Sequence, residues 1–181
     1  AMQLPEATWV LLPSDLGVIS ENGAEVLTES LSRATALLLG PGWGTEKTTM
    51  RFLQALLLGR EGSPRVQMGF AAGRRRGDEP ESGQTSTLPP AVLDADGLKL
   101  LSKIEGWPGL LPSPSVLTPH PGEMAVLTGL KMDEIQADRP SIARRFAADW
   151  GHVLVLKGAF TIVASPDGRT TLNPFATAAL A

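Results

Sequence analysis

Apolar residues in this chain fall into short runs, and four of those runs lead directly into chemically loaded residues. Leu37-Leu38-Leu39 runs into Gly40-Pro41-Gly42-Trp43-Gly44, and Val92-Leu93 into Asp94-Ala95-Asp96. Val116-Leu117 runs into Thr118-Pro119-His120-Pro121-Gly122-Glu123, and Val153-Leu154-Val155-Leu156 into Lys157-Gly158-Ala159-Phe160-Thr161. Continuous apolar runs bounded by turn residues fit strands of a parallel sheet. Helical spacing falls between them. Residues 46–58 place Phe52, Leu53, Leu56 and Leu57 on one side, with Gly59 as the stop. Residues 140–150 follow Asp138 as a cap and pair Ile142 with Phe146 at i, i+4. Helices are also predicted at 24–34, at 97–104 and from Glu123 to Leu127. A strand at 8–12 is predicted to end at Pro13, residues 107–114 to form a proline-rich turn region, and residues 161–172 a hairpin around Asp167-Gly168.

This alternation predicts an α/β domain in three layers, α/β/α, around a mainly parallel sheet. Parallel neighbours would bring all four loaded loops to one edge of the sheet. Ligands bind there because loops and helix N-termini converge on a crevice. Residues 59–89 break the rhythm. They are rich in Gly, Pro, Ser and charge, carry the basic run Arg74-Arg75-Arg76, and read as a flexible insertion with one possible strand at 66–71.

Composition narrows the function. The 181 residues suffice for one domain, 1–181, with its own core. A net charge of −3 gives no general attraction to nucleic acid or anionic membrane, so anionic small molecules would need local donors. There is no cysteine, which removes disulfides and thiolate metal sites and suits a reducing compartment; the expected location is the cytoplasm. No apolar stretch approaches the roughly 20 residues needed to span a bilayer.

The loaded loops differ in what they offer. Gly42 and Gly44 let backbone approach a ligand with no side chain between, and Thr45 opens a helix whose first N–H groups face an anion. The loop matches neither a P-loop nor a dinucleotide fingerprint. Asp94 and Asp96 flank Ala95, so on an extended backbone their side chains diverge. Asp94 reads as a ligand or metal-water group, Asp96 equally as a strand terminator or helix cap. Prolines on both sides hold His120 at low entropic cost for hydrogen bonding to substrate. Glu123 is suited to bind water or Mg²⁺, or to cap its own helix. Lys157 would place an ammonium in reach of a nucleotide phosphate, Gly158 leaves room for base or ribose, and Thr161 adds a hydroxyl. His152 has no such setting and reads as structural.

Together, GPGWG at 40–44, VLDADGL at 92–98, LTPHPGEMAVLTG at 117–129 and VLKGAFTIVASPDGRTTLN at 155–173 resemble the ADP/ATP-dependent NAD(P)H-hydrate dehydratases of the ribokinase-like superfamily. The resemblance implies that Gly42 or Gly44 and His120 help hold hydrated NADH or NADPH (NADHX, NADPHX), and that residues Lys157, Gly158, Ala159, Phe160 and Thr161 line a site for ADP or ATP. Mg²⁺ would accompany the nucleotide, with Asp94 and Glu123 nearby through water. The family's Gly-x-Gly-Asp element, which supplies an anion hole and the catalytic base, has no counterpart in these residues. The resemblance implies that this element, and with it the catalytic aspartate, falls beyond Ala181, so that no catalytic residue is expected among the 181. The chain therefore resembles a central part of the domain, truncated at both ends, and is expected to lack turnover alone and to self-associate as a homo-oligomer. Two other functions fit the same residues: a ribokinase-like small-molecule kinase, and a non-catalytic nucleotide-binding module.

Overall fold

In the computed structural model, residues 7–59 and 88–175 are described. Six strands form the main sheet in simple sequence order: β3 (Leu37–Leu39), β4 (Ala91–Leu93), β5 (Val116–Leu117), β6 (Val153–Leu156), β7 (Ile162–Ala164) and β8 (Thr170–Leu172). The first four run parallel, while β7 and β8 return antiparallel. A separate two-stranded hairpin, β1 (Ser14–Asp15) with β2 (Val18–Ile19), precedes them. The predicted strand at 8–12 does not form. The chain instead turns after Pro13, because Leu16 and Gly17 both take positive φ and fit a tight hairpin.

Seven helices are described: α1 (Gly23–Ser30), α2 (Lys47–Leu58), α3 (Asp96–Leu101), α4 (Trp107–Leu110), α5 (Pro121–Thr128), α6 (Met132–Ala137) and α7 (Arg139–Trp150). A 3₁₀ turn at Leu31–Arg33 ends the first of them earlier than the apolar spacing predicts. The proline-rich segment at 107–114 forms the short α4, anchored by Trp107, whose ring meets Trp150 edge-on at 4.9 Å. The unanticipated α6 is too short to show periodicity and buries one large side chain, Ile135. The insertion at 59–89, its possible strand and Arg74-Arg75-Arg76 lie almost wholly outside the described residues. So does Ala181, the position past which the catalytic element is expected.

Strand register divides the sheet into two unlike faces. Leu39, Leu93, Leu117, Leu154 and Ala164 stand side by side on one face, and all are buried. They share a single core with Phe52, Leu53 and Leu56 of α2, Leu98 of α3, Met124 of α5, Ile135 of α6, and Ala143 and Ala147 of α7. On the other face, Leu38, Val92, Val116 and Val153 form one row and Val155 and Val163 another. None of these six belongs to the core or packs against it; the valines are half-buried and Leu38 is 66% exposed. The α/β class and the mainly parallel sheet match expectation. Among the described residues, one helical layer seals the sheet and the opposite face is open.

Candidate active site

The parallel strands β3 to β6 deliver their following loops to one edge, and the side chains there are in direct contact. Lys157, just past β6, donates to Asp94 Oδ1 at 2.5 Å and lies 3.8 Å from Glu123 Oε2. Its backbone N–H also donates to the Pro119 carbonyl at 2.8 Å, which locks the end of β6 to the His120 loop. Burial alone would raise the Asp94 carboxyl. Hydrogen bonds from Lys157, the Ala95 N–H and the neighbouring Thr118 hydroxyl outweigh that cost and hold its pKa below the ordinary 3.8.

His120 is the N-cap of α5. Its imidazole Nδ1 accepts from the N–H groups of Gly122 and Glu123 at 3.0 and 3.2 Å. Glu123 completes a reciprocal cap, its Oε2 accepting from His120 N–H at 2.9 Å, with Oε1 3.4 Å from His120 Nε2. The buried Glu123 thus bridges histidine and lysine. Pro121 at the first helical position fits because its missing N–H costs the helix nothing there. The imidazole is about half exposed, and the cap leaves its Nε2 edge turned to Glu123.

On the other flank, the turn at Ala95 sends Asp96 toward the glycine loop. Asp96 Oδ2 accepts from Gly44 N–H at 3.1 Å and Oδ1 accepts from Lys99 at 3.0 Å. The Lys99 hydrogen bond is the main reason its pKa lies low; the Gly44 N–H adds to it, against a partial-burial cost. The two aspartates do diverge, through the strained turn between them rather than through extended backbone. The close backbone approach falls at Gly40: a Cβ there would overlap the Asp94 carbonyl oxygen and crowd the Gly97 backbone N and Cα at 2.6 and 2.8 Å. Gly42 faces open space, and a Cβ on Gly44 would meet the Glu46 carboxylate. Trp43 fixes the loop onto α2 by an edge contact with Phe52 at 5.3 Å.

The structure therefore brings Asp94, His120, Glu123 and Lys157 into one cluster, while Asp96 joins Gly44 to the turn that follows Asp94. Gly158, Ala159, Phe160 and Thr161 continue from Lys157 as the β6–β7 turn, with Phe160 at φ 58° and half exposed. His152 lies apart and buried. Its Nδ1 accepts from Ser115 N–H at 3.3 Å, which leaves Nε2–H to donate to the Pro108 carbonyl at 2.9 Å. Sequence reasoning missed Arg139, whose guanidinium holds three carbonyls of the β6 end and the turn behind it. A lone arginine opening an amphipathic helix carries no signal of that contact. Among the described residues no three His, Asp or Glu side chains form a metal-binding group. The donor set does not fit a protein-held cation, because Asp94 and Glu123 both face the Lys157 ammonium. The catalytic aspartate expected beyond Ala181 has no place among the described residues, which end at Phe175. No described helix is long and apolar enough to cross a membrane.

Functional side chains on loops at the carboxyl ends of parallel strands place this cluster where open α/β sheets bind their ligands. A ribokinase-like superfamily protein of Enterococcus faecalis shares the fold, with a TM-score of 0.60 at 21% identity over 88% of this chain and 46% of its own. The chain belongs to the NAD(P)H-hydrate dehydratase family, whose model matches residues 82–181. It is 36% identical, over 96% of its length, to a bifunctional NAD(P)H-hydrate repair enzyme of Moorella thermoacetica, of which it spans 28%. A Bacillus subtilis ADP-dependent (S)-NAD(P)H-hydrate dehydratase is 43% identical over 51% of this chain and 32% of its own. A crystal structure of ADP/ATP-dependent NAD(P)H-hydrate dehydratase from Bacillus subtilis, co-crystallised with ATP and Mg²⁺, superposes with a TM-score of 0.62 at 26% identity. That match covers 99% of this chain and 51% of the other, so the chain spans about half the solved relative.

Proposed function

We propose that this chain is part of an enzyme that repairs hydrated nicotinamide dinucleotides, using ADP or ATP to dehydrate NADHX and NADPHX to NADH and NADPH. The carrying observation is the single cluster of Asp94, His120, Glu123 and Lys157 at the sheet edge, inside the segment the family model matches. In this reading, Lys157 and the turn Gly158, Ala159, Phe160 and Thr161 receive the nucleotide. Gly42, Gly44, Asp94 and the exposed imidazole of His120 face the hydrated dinucleotide. Mg²⁺ arrives with the nucleotide phosphates, and Glu123 contributes through water and by holding His120.

The chemistry asked of these residues is mainly positioning and charge balance, as in phosphoryl transfer generally. Lys157 is pre-positioned between two carboxylates, so a phosphate that displaces Asp94 meets an ammonium already held in place. Asp94, released, becomes an acceptor for a substrate hydroxyl. The 181 residues contain no Gly-x-Gly-Asp sequence. Losing even one oxyanion donor commonly costs about 10²–10³ in rate, so we expect these residues alone to bind nucleotide with little or no turnover. The reading includes a homo-oligomer, because the open sheet face gives copies of this chain an apolar surface to share.

A domain restored to the length of its relatives, incubated with ADP or ATP, Mg²⁺ and NADHX, is expected to regain the absorbance of NADH. A stable phosphorylated product in place of NADH would instead establish the small-molecule kinase. Thermal stabilisation by ADP without turnover in the restored domain would establish a nucleotide-binding module.

A further inference from the structure

Arg139 opens α7 and lies behind the turn that follows β6. Its Nη1 donates to the Ala159 carbonyl at 2.6 Å, and its Nη2 donates to the Leu156 and Lys157 carbonyls at 3.1 and 3.0 Å. Its Nε is buried and has no hydrogen-bond partner among the described residues, so these carbonyls carry the guanidinium's hydrogen bonding there. Gly158 packs on the same group: a Cβ there would sit 3.0 Å from Nη2, and its φ of +135° favours glycine independently. The turn and the guanidinium thus fit one another too closely to move separately.

Peptide planarity gives this contact a consequence on the other side of the turn. In a trans peptide the N–H points opposite to the C=O of the same unit. With the Lys157 and Ala159 carbonyls drawn back onto Arg139, the N–H groups of Gly158 and Phe160 point away from it. Among the described residues neither N–H has a hydrogen-bond partner. Two N–H donors on one short turn, both directed away from a cation that holds the carbonyls behind them, suit an anion.

We propose that Arg139 is a positioning residue for the nucleotide: it holds the Leu156–Ala159 backbone so that the Gly158 and Phe160 N–H groups face a phosphate of the nucleotide beside Lys157. This rests on the nucleotide reading above. Arginine suits the task because its planar fork spans three carbonyls at once, which a lysine ammonium cannot match in one geometry.

The test uses the whole chain and two probes, ADP and adenosine, which differ in phosphate alone. Arg139→Ala is expected to weaken ADP binding by about tenfold or more and to leave adenosine binding nearly unchanged, with faster amide exchange over residues 157–161. Arg139→Lys should recover part of the loss. Arg145→Ala, an exposed change on the same helix, should bind ADP as the unaltered chain does. The phosphate-dependent split separates positioning from a general loss of stability. Unchanged ADP affinity in Arg139→Ala, or equal losses for ADP and adenosine, overturns the proposal. If Arg139→Ala does not fold, Gly158→Ala takes its place, since its Cβ presses on the guanidinium; the same split is required of it. An unaltered chain that binds no ADP at millimolar concentration sinks the nucleotide reading and this proposal with it, and that result is recognisable because it needs no variant.

Discussion

Ala95 sits at φ 52° and ψ −125°, a conformation that a Cβ resists, and it is flanked by the two aspartates of the site. The strain has a visible result: one carboxylate goes to Lys157 and the other to Gly44. The sequence made the divergence legible and hid its cause, because the pattern Asp-Ala-Asp reads as extended backbone until the turn is seen. A pH dependence follows from Asp94. Its folded pKa lies below its ordinary 3.8, so the Lys157 pair stabilises the folded chain fully above that ordinary value and loses its effect as pH falls through the lower folded value. Asp94→Asn should therefore flatten the acid limb of the stability curve as pH falls through and below the ordinary 3.8 and leave its shape near neutrality unchanged. Urea midpoints across that range measure it, and superimposable acid limbs would rule the ion pair out as a stabilising contact.

At the scale of the element, α5 shows how one residue can serve two ends. The Pro-His-Pro-Gly-Glu sequence announced a rigid histidine, which the structure retains, but it did not announce that the imidazole caps the helix. Histidine is not among the usual N-caps, so cap rules pass over it. The elements that were misread share a physical reason: α6, α4 and the β1–β2 hairpin are each shorter than the window over which periodicity shows. Capping and substrate binding by His120 separate by choice of substitution. Asparagine is a strong N-cap, so His120→Asn should keep stability within about 0.5 kcal/mol, whereas His120→Ala should cost about 0.5–2 kcal/mol. Both should weaken hydrated-dinucleotide binding about tenfold or more in a restored domain, because both lose the half-exposed imidazole ring. If His120→Asn binds substrate normally, the histidine is a cap and nothing else.

For the whole molecule, the alternation of burial across the strands is the decisive feature. Sequence could not reveal it, since Leu38, Val92, Val116, Val155 and Val163 are as apolar as their sealed neighbours. A sheet whose strands are apolar on both faces is normally covered on both faces. Here register places one row of leucines in the core and the row behind it in half-exposure. The two faces should therefore respond differently to the same truncation. Leu154→Ala removes a fully buried side chain from between sheet and helices and should cost about 2–5 kcal/mol. Val163→Ala removes two methyl-sized groups from a surface that no described element packs against, and should cost less than about 1 kcal/mol. In a domain restored to the length of its relatives, a layer packed on this face would raise the cost of Val163→Ala toward that of a core valine. Denaturant midpoints for the two variants, in the 181-residue chain and in the restored domain, read this directly. An equal, large cost at both positions in the short chain would mean that the valine face is already covered, and that the sheet described here is sealed on both sides.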